Sequence, residues 1–178
     1  ASNLINIKIE KKKELYVKLF SFYIIIIILI ALYNLFLAPY YLSYVNAIGG
    51  GPSNAYQITV GANIDQGQEL LGLKKYMEEH KIDKIKLSYW GSVDPKYYNI
   101  SYEYLPAPSF LPWQNNYNFI TSLPKNLQED CHERKGLIAI SVTNLQNVHL
   151  INKTCYNWIK KYEPVKRIGY SIFVYDIK

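Results

Sequence analysis

An uncharged run of apolar residues constrains this chain more than any other feature of its sequence. Residues 19–38 read LFSFYIIIIILIALYNLFLA, twenty positions without a charge. An α-helix rises about 1.5 Å per residue, so the run spans roughly 30 Å, the thickness of the hydrocarbon core of a bilayer. We therefore predict a transmembrane helix over residues 19–38.

The charges before this run predict its orientation. Residues 1–18 contain five lysines and two glutamates, a net charge of +3. Lysines beside a membrane helix stay on the cytoplasmic side, which predicts a single-pass plasma membrane protein with a cytoplasmic basic tail at 1–18 and the rest outside. A cleaved signal peptide is disfavoured because its apolar core is usually about 7–15 residues long. A start at Ala1 also fits a fragment of a longer protein.

The part after the anchor is long enough for one domain with its own core. We predict a juxtamembrane linker at 39–55 and an extracytoplasmic domain at 56–178. The residues after position 18 carry 15 basic and 12 acidic side chains, the totals of 20 and 14 less the five and two of the tail. An excess of +3 over a whole domain is too dilute for nucleic-acid binding. The partners expected at this stage are membrane lipid and, through the transmembrane helix, a membrane protein.

Strand and helix patterns alternate along this domain. Apolar runs predict strands and the 3.6-residue period predicts helices. The predicted strands are Tyr56–Val60, Lys84–Trp90, Gly136–Thr143 and Ile168–Ile177; the predicted helices are Gln68–His80 and Lys153–Tyr162; a long loop is expected at Leu105–Glu133. A β-α-β order is typical of parallel strands. We therefore predict the α/β class: one N-terminal transmembrane helix followed by a small α/β sandwich with a mainly parallel sheet.

Polar side chains follow the first two predicted strands. Ligands of parallel α/β sheets bind at the carboxyl ends of strands, so Asn63, Asp65, Gln68 and Asp94 are the candidate ligand-binding residues. Two carboxylates at one edge could bind sugar hydroxyls or a cation. Each also has a structural interpretation, which we favour for each residue alone: Asp65 caps the following helix, and Asp94 forms an Asx-turn before Pro95.

Other candidate sites carry weaker signals. Asn99 and Asn152 begin N-glycosylation acceptor triplets. Cys131 and Cys155, the two cysteines, form either one disulfide or two separate buried thiols. The three histidines are dispersed without metal-ligand spacing, so we expect no metal and no cofactor. No catalytic motif was recognised, so no catalytic residue is assigned.

Several segments, in this order, resemble a known family. They are GGGPSNAY, GANIDQGQELLGLKKYMEEHKIDKIKLSYWGSVDPKYY, IAISVTNLQNV and YNWIKKYEPVKRIGYSIFVYDI. They resemble the C-terminal region of membrane glycosyltransferases of the protein-mannosyltransferase type, which use a polyprenyl-phosphate sugar donor. The resemblance covers most of residues 39–178. At Gln66 this chain departs from the family, which usually has Trp there.

The resemblance implies the last membrane helix and outer domain of such an enzyme without its catalytic loop. The first hypothesis is a non-catalytic outer domain that assists a lipid-linked-sugar glycosyltransferase by binding acceptor, glycan or a partner subunit. A glycan or a lipid-linked sugar is then the expected ligand. The alternatives are a single-span accessory subunit of an unrelated membrane complex, and a fragment of a complete glycosyltransferase.

Overall fold

The computed structural model describes residues 2–107 and 130–178, and the chain divides into two compact units, Ala1–Tyr41 and Leu42–Lys178. The first unit is one helix, α1 (Ser2–Leu37). Its segment Glu10–Leu37 is long and apolar enough to cross a membrane, and none of its most apolar stretch is buried within the protein. The predicted apolar helix is confirmed, and it continues without a break from the basic tail, where Lys18 Nζ lies 2.6 Å from Glu14 Oε1.

The second unit is built on a five-stranded mixed sheet. The strands are β1 (Ile85–Ser88), β2 (Tyr102–Tyr104), β3 (Gly136–Ser141), β4 (Lys166–Ile168) and β5 (Ile172–Ile177). They lie in the order β2-β1-β3-β5-β4. β1 pairs in parallel with both β2 and β3, whereas β5 is antiparallel to both β3 and β4. Four of the five strands therefore run in one direction, and the predicted α/β class is confirmed.

The sheet is buried on both faces. Successive side chains of a strand point to opposite sides of the sheet, so each strand contributes side chains to both faces. On one face Ala139, Ile172 and Val174 pack with the apolar side of α2 (Leu70–Glu79). On the other face Ile138, Ile140, Phe173 and Tyr175 pack against a layer of short helices, which includes α3 (Val142–Leu145) and 3-10 turns such as Pro52–Gln57 and Asn157–Lys161. A central sheet therefore separates two cores.

The predicted strand Tyr56–Val60 is wrong. This segment ends a 3-10 helix, Pro52–Gln57, and the backbone N–H groups of Ile58 and Thr59 both bond to the carbonyl of Ala55. Ala55 is fully buried, so this turn packs against the core. The β-branched residues matched a strand pattern, but their N–H groups are satisfied locally, so no strand pairing forms. The first β-α-β unit is consequently absent, and α2 leads directly to β1.

Two other elements differ from the sequence prediction. The predicted closing strand, Ile168–Ile177, is interrupted at Gly169, whose φ of +53° turns the chain and separates β4 from β5. The predicted helix Lys153–Tyr162 is realised as the 3-10 helix Asn157–Lys161. Most of the predicted long loop, positions 108–129, lies outside the described residues.

Candidate functional site

The candidate residues of the first loop lie at one edge of the sheet. β1 ends at Ser88 and β3 ends at Ser141, and Ser141 pairs with Ile172, the first residue of β5. Because β5 is antiparallel, its start meets the ends of the parallel strands. The hydroxyls of Ser141 and Ser171 lie close enough to the Asp65 carboxylate to lower its pKa. The loop before α2 therefore lies at the carboxyl edge of the sheet, although the predicted strand Tyr56–Val60 before it does not form.

Asp65 is fully buried at this edge. Its Oδ1 accepts a hydrogen bond from the backbone N–H of Gly67 at 3.2 Å, and its Oδ2 has no hydrogen-bond partner among the described residues. Burial raises the pKa of Asp65 to about 7, against the smaller lowering effects of the Gly67 N–H and the two serine hydroxyls. A carboxyl group enclosed in this way is held protonated at mildly acidic pH.

The predicted helix-cap role of Asp65 is wrong, because the capping position of α2 is Glu69, and no side chain accepts a cap hydrogen bond there. The bond of Asp65 to the residue two positions on closes an Asx-turn within the loop instead. The other turn prediction is confirmed: Asp94 Oδ1 accepts from the backbone N–H of Lys96 at 2.9 Å.

Glu69, from the same polar loop, is a second buried carboxyl group. Only 5% of its surface is exposed, and its Oε1 has no hydrogen-bond partner within the described ranges. Burial raises its pKa to about 7. A Cβ added at Gly169 would overlap the Glu69 carboxylate, so the β4–β5 turn lies directly on this acid. The Glu69 carboxylate therefore occupies the space that a side chain at position 169 would need.

Tyr89 closes the same edge. Its hydroxyl lies against the backbone of Gly67, where an added Cβ would overlap it, and Gly67 has a φ of +87°. Burial raises the pKa of Tyr89, and the charges of Asp65 and Asp94 raise it further. Both carboxylates therefore lie near this tyrosine, and the structure brings the ends of the two predicted loops together.

The remaining predicted ligand residues are occupied or apart. Gln68 Nε2 donates to the carbonyl of Ile64 at 2.9 Å, and Gln68 Oε1 accepts from the N–H of Gln66 at 2.8 Å. Asn63 is exposed in a short 3-10 turn, Gly61–Asn63. In the described parts of the chain no three His, Cys, Asp or Glu side chains are grouped as a metal site. The edge is thus a closed polar cluster rather than an open site.

The predicted modification sites lie on the surface of the domain. Asn99 is exposed, with a φ of +55°, and Asn152 is exposed with its Oδ1 accepting from both the N–H and the hydroxyl of Thr154, at 2.9 and 2.7 Å. Cys131 and Cys155 form a disulfide across 24 residues of sequence. The disulfide joins the chain just before β3 to the layer of short helices.

An open pocket lies on the short-helix side of the sheet, away from the predicted loop. We call it the aromatic pocket, and it has a volume of about 240 Å³. It lies between the end of the 3-10 helix Pro52–Gln57, α3 and the hairpin of β4 and β5. The rings that line it are Tyr56, Tyr162, Phe173 and Tyr175; the polar and charged residues are Gln57, Gln146, Lys160, Glu163 and Arg167.

The aromatic pocket is held by contacts between its own residues. The Tyr56 and Phe173 rings meet edge to face with centroids 5.0 Å apart, and the Arg167 guanidinium lies 4.7 Å from the Phe173 centroid. Gln146 Nε2 donates to the carbonyl of Tyr56 at 3.2 Å, and Lys160 Nζ donates to Gln146 Oε1 at 3.3 Å. The walls are therefore pre-organised, while polar atoms remain at the rim.

Sequence reasoning missed the aromatic pocket because its residues come from three separate segments. Tyr56 was assigned to a strand. Phe173 was assigned to the closing strand Ile168–Ile177, and Arg167 immediately precedes that strand. The abundance of tyrosine, 18 in the chain, was the only signal. Comparison with known proteins adds no further guide: no protein-family profile, no curated protein and no solved structure matches this chain.

Proposed function

We propose that this chain is a membrane-anchored, non-catalytic domain that binds a glycan in the aromatic pocket and thereby assists a glycosyltransferase that uses lipid-linked sugars. The observation that carries the proposal is the pocket itself: ring faces beside amide and charged groups on ordered elements. Tyrosine rings offer an apolar face for the C–H side of a sugar, and amide groups can exchange hydrogen bonds with its hydroxyls. The class of enzyme comes from the sequence resemblance.

The size and charge of the pocket favour a small polar ligand. Pockets for drug-sized molecules have volumes of about 300–1,000 Å³, and at about 240 Å³ the aromatic pocket is just below that range. One or two sugar units fit this scale better than a large cofactor. Lys160 and Arg167 against Glu163 leave one positive charge in excess at the rim, so neutral sugars and sugars with an acidic substituent are both compatible.

The buried acids support the non-catalytic part of the proposal. General acid–base catalysis needs a side chain within hydrogen-bond reach of the substrate. Asp65 and Glu69, the carboxyl groups with pKa values of about 7, are enclosed by Gly67, Gly169 and the serines at the sheet edge. Their polar cluster therefore serves the fold, and the ligand-binding candidate is the aromatic pocket.

The test is a binding titration with the full chain in detergent. Methyl glycosides of mannose, glucose and galactose are added, and binding is followed by saturation-transfer NMR and calorimetry. We expect saturable binding of at least one glycoside, abolished in Tyr56→Ala and reduced about two- to tenfold in Gln57→Ala, the loss expected for one hydrogen bond.

The matched control is Tyr97→Ala, which removes an exposed tyrosine on the α2 side of the sheet. Tyr56 packs on Phe173, so melting curves of each variant accompany the titration, and Gln57→Ala provides a variant at an exposed side chain. Equal loss of binding in Tyr97→Ala, or no saturable binding by the unaltered chain, would refute the proposal.

The accessory-subunit hypothesis remains the second candidate. Asn34, a polar residue within the apolar helix, supports it, because asparagine in a membrane helix can bond a neighbouring helix. In the structure Asn34 Nδ2 donates to the carbonyl of Ile30 in its own helix at 2.8 Å, which leaves the second amide N–H and the side-chain carbonyl for a partner. Co-purification in mild detergent, comparing the unaltered chain with Asn34→Leu, tests this: loss of a stable partner in the variant favours a subunit role.

Orientation and membrane identity are further proposals. The basic residues of 1–18 support a cytoplasmic N-terminus, and the disulfide suits an oxidising outer compartment. Protease treatment of sealed cells should remove the domain that follows α1 and leave the basic tail protected. Protection of the domain instead would reverse the proposed topology.

A further inference from the structure

Two isoleucines stand out on the surface of the second unit. Ile48 is 99% exposed, the highest value for a large apolar residue whose side chain the structure describes, and Ile58 is 64% exposed. Single exposed apolar residues are ordinary on protein surfaces. A fully exposed isoleucine on an ordered turn is different where a second exposed isoleucine lies against the same turn, because one apolar surface can then contact both.

The turn that carries Ile48 is held by its own hydrogen bonds. The backbone N–H groups of Gly49 and Gly51 both bond to the carbonyl of Asn46 at 3.0 Å, and Asn46 Oδ1 accepts from Gly49 at 2.9 Å. The Ile48 side chain therefore protrudes from an ordered loop. Little conformational entropy is lost when another surface contacts Ile48, because the backbone of this turn is already held by hydrogen bonds.

Ile58 lies against the turn that carries Ile48. A Cβ built at Gly49 would lie 3.4 Å from Ile58 Cδ1 and 2.6 Å from Val45 Cγ1. The Ile58 side chain therefore lies across the backbone of the residue that follows Ile48. We call Ile48 and Ile58 together the isoleucine patch.

The chain length limits how far the patch can be from the bilayer, given that α1 spans it. Leu42, the first residue of the second unit, lies five positions after Leu37, the last residue of α1. Five extended residues reach at most roughly 18 Å, whatever the arrangement of the two units. Ile48 follows six residues later, through two 3-10 turns at Tyr41–Ser43 and Ala47–Gly49 that shorten the path.

We propose that the isoleucine patch inserts into the boundary between the headgroups and acyl chains of the bilayer and docks the domain on the membrane surface. Exposed apolar side chains gain free energy at this boundary by leaving water. The short tether raises the effective concentration of lipid at the patch, so two side chains suffice where a free domain would need more.

The charge beside the patch suits a lipid surface with anionic headgroups. Arg167 is exposed, and its Nη1 donates to the carbonyl of Ser53 at 3.2 Å, within the loop that joins Ile48 to Ile58. Lys166, next in the chain, is also exposed. Basic side chains near an anionic leaflet each add to its attraction. Docking here would bring Tyr56 and Gln57, which immediately precede Ile58, close to the lipid, so that the aromatic pocket opens near the membrane.

The test places a polarity-sensitive fluorophore on single introduced cysteines in the full chain. The variants are Ile48→Cys, Ile58→Cys and the control Tyr97→Cys, which is 77% exposed and lies on the opposite side of the sheet. Each labelled chain is reconstituted in vesicles of phosphatidylcholine and phosphatidylglycerol. Quenching by aqueous iodide and by doxyl-labelled lipid is measured.

We expect iodide to quench the labels at positions 48 and 58 several-fold less than the label at 97, and doxyl lipid to quench them several-fold more. Equal quenching at all three positions overturns the proposal. Shielding that disappears as the protein is diluted with lipid overturns it as well, because the patch is then covered by a second copy of the chain. All three positions are exposed, and circular dichroism of each variant checks that the fold is retained.

Discussion

Asp65→Asn tests the buried acid cluster most directly, because the amide has the shape of the protonated acid and cannot ionise. Burial raises the pKa of Asp65 from 3.8 to about 7. A pKa difference of about 3 corresponds to about 4 kcal/mol, at 1.36 kcal/mol for each factor of ten. The folded state therefore retains a proton that the unfolded chain has lost at any pH between these two values.

The direction of the pH dependence of stability follows from the number of protons bound in the folded and unfolded states. Between about pH 4 and pH 7 the folded state binds more protons at Asp65 than the unfolded state, so the free energy of unfolding falls as the pH rises. Stability from this group is fully present below the unfolded pKa and is lost by the time the pH exceeds the folded one. Glu69, whose pKa burial also raises to about 7, contributes a fall of the same sign over the same window.

The assay is urea unfolding of the full chain in detergent, followed by tryptophan fluorescence at a series of pH values from 4 to 8. We expect Asp65→Asn to reduce the downward slope by up to about 1.4 kcal/mol per pH unit, and Asp65→Asn with Glu69→Gln to remove most of it. At pH 8 the single variant should be up to about 4 kcal/mol more stable than the unaltered chain. The control is Asp176→Asn, at an exposed carboxyl group of β5. An unchanged slope in Asp65→Asn, or stability that rises from pH 4 to 7, refutes the reasoning.

Three further variants test the packing around the sheet, each by urea unfolding. Gly169→Ala should cost about 2 kcal/mol, because φ is +53° and the new Cβ overlaps the Glu69 carboxylate; a cost no larger than that of an alanine at a glycine without such an overlap contradicts this. Cys131→Ser breaks the disulfide to Cys155 and should cost about 3 kcal/mol for a loop of this length, with reduction by dithiothreitol giving the same loss. Thr143→Val removes the buried hydroxyl that accepts a backbone N–H at 2.9 Å and should cost about 1–3 kcal/mol; an unchanged midpoint contradicts it.

The glycine control for Gly169 is Gly61, which also has a positive φ, +67°, but where an added Cβ would make only an ordinary contact of 3.7 Å with His149 Nε2. Gly61→Ala therefore reports the strain of a positive φ without an overlap. The difference between the two alanine variants isolates the overlap with the buried carboxylate.

The elements that were predicted well are those whose sequence pattern reflects their own burial. α2 has its apolar residues at helical spacing, and Leu70, Leu73 and Met77 are the ones buried. β3 and β5 are short apolar runs, and they are buried on both faces because helices or turns cover each side of the sheet. In these segments the pattern and the tertiary environment agree.

The elements that were predicted wrongly depend on partners far away in sequence. Residues 56–60 carry a strand-like pattern, yet none of the described strands pairs with them, and the N–H groups of Ile58 and Thr59 bond to the carbonyl of Ala55. The Asp65 carboxyl group could cap a helix by its position alone. It accepts a hydrogen bond from the N–H of Gly67 instead, beside Ser141 and Ser171 at the sheet edge.

The apolar helix and the α/β class could be predicted without the structure. These follow from composition, period and chain order, which are local properties. The packed chain was needed to show that the Asp65 loop is closed at the sheet edge, that Glu69 is buried beside Gly169, and that Tyr56, Arg167 and Phe173 form one pocket. Burial and the pairing of distant polar groups are set by the whole packed chain, so no local pattern contains them.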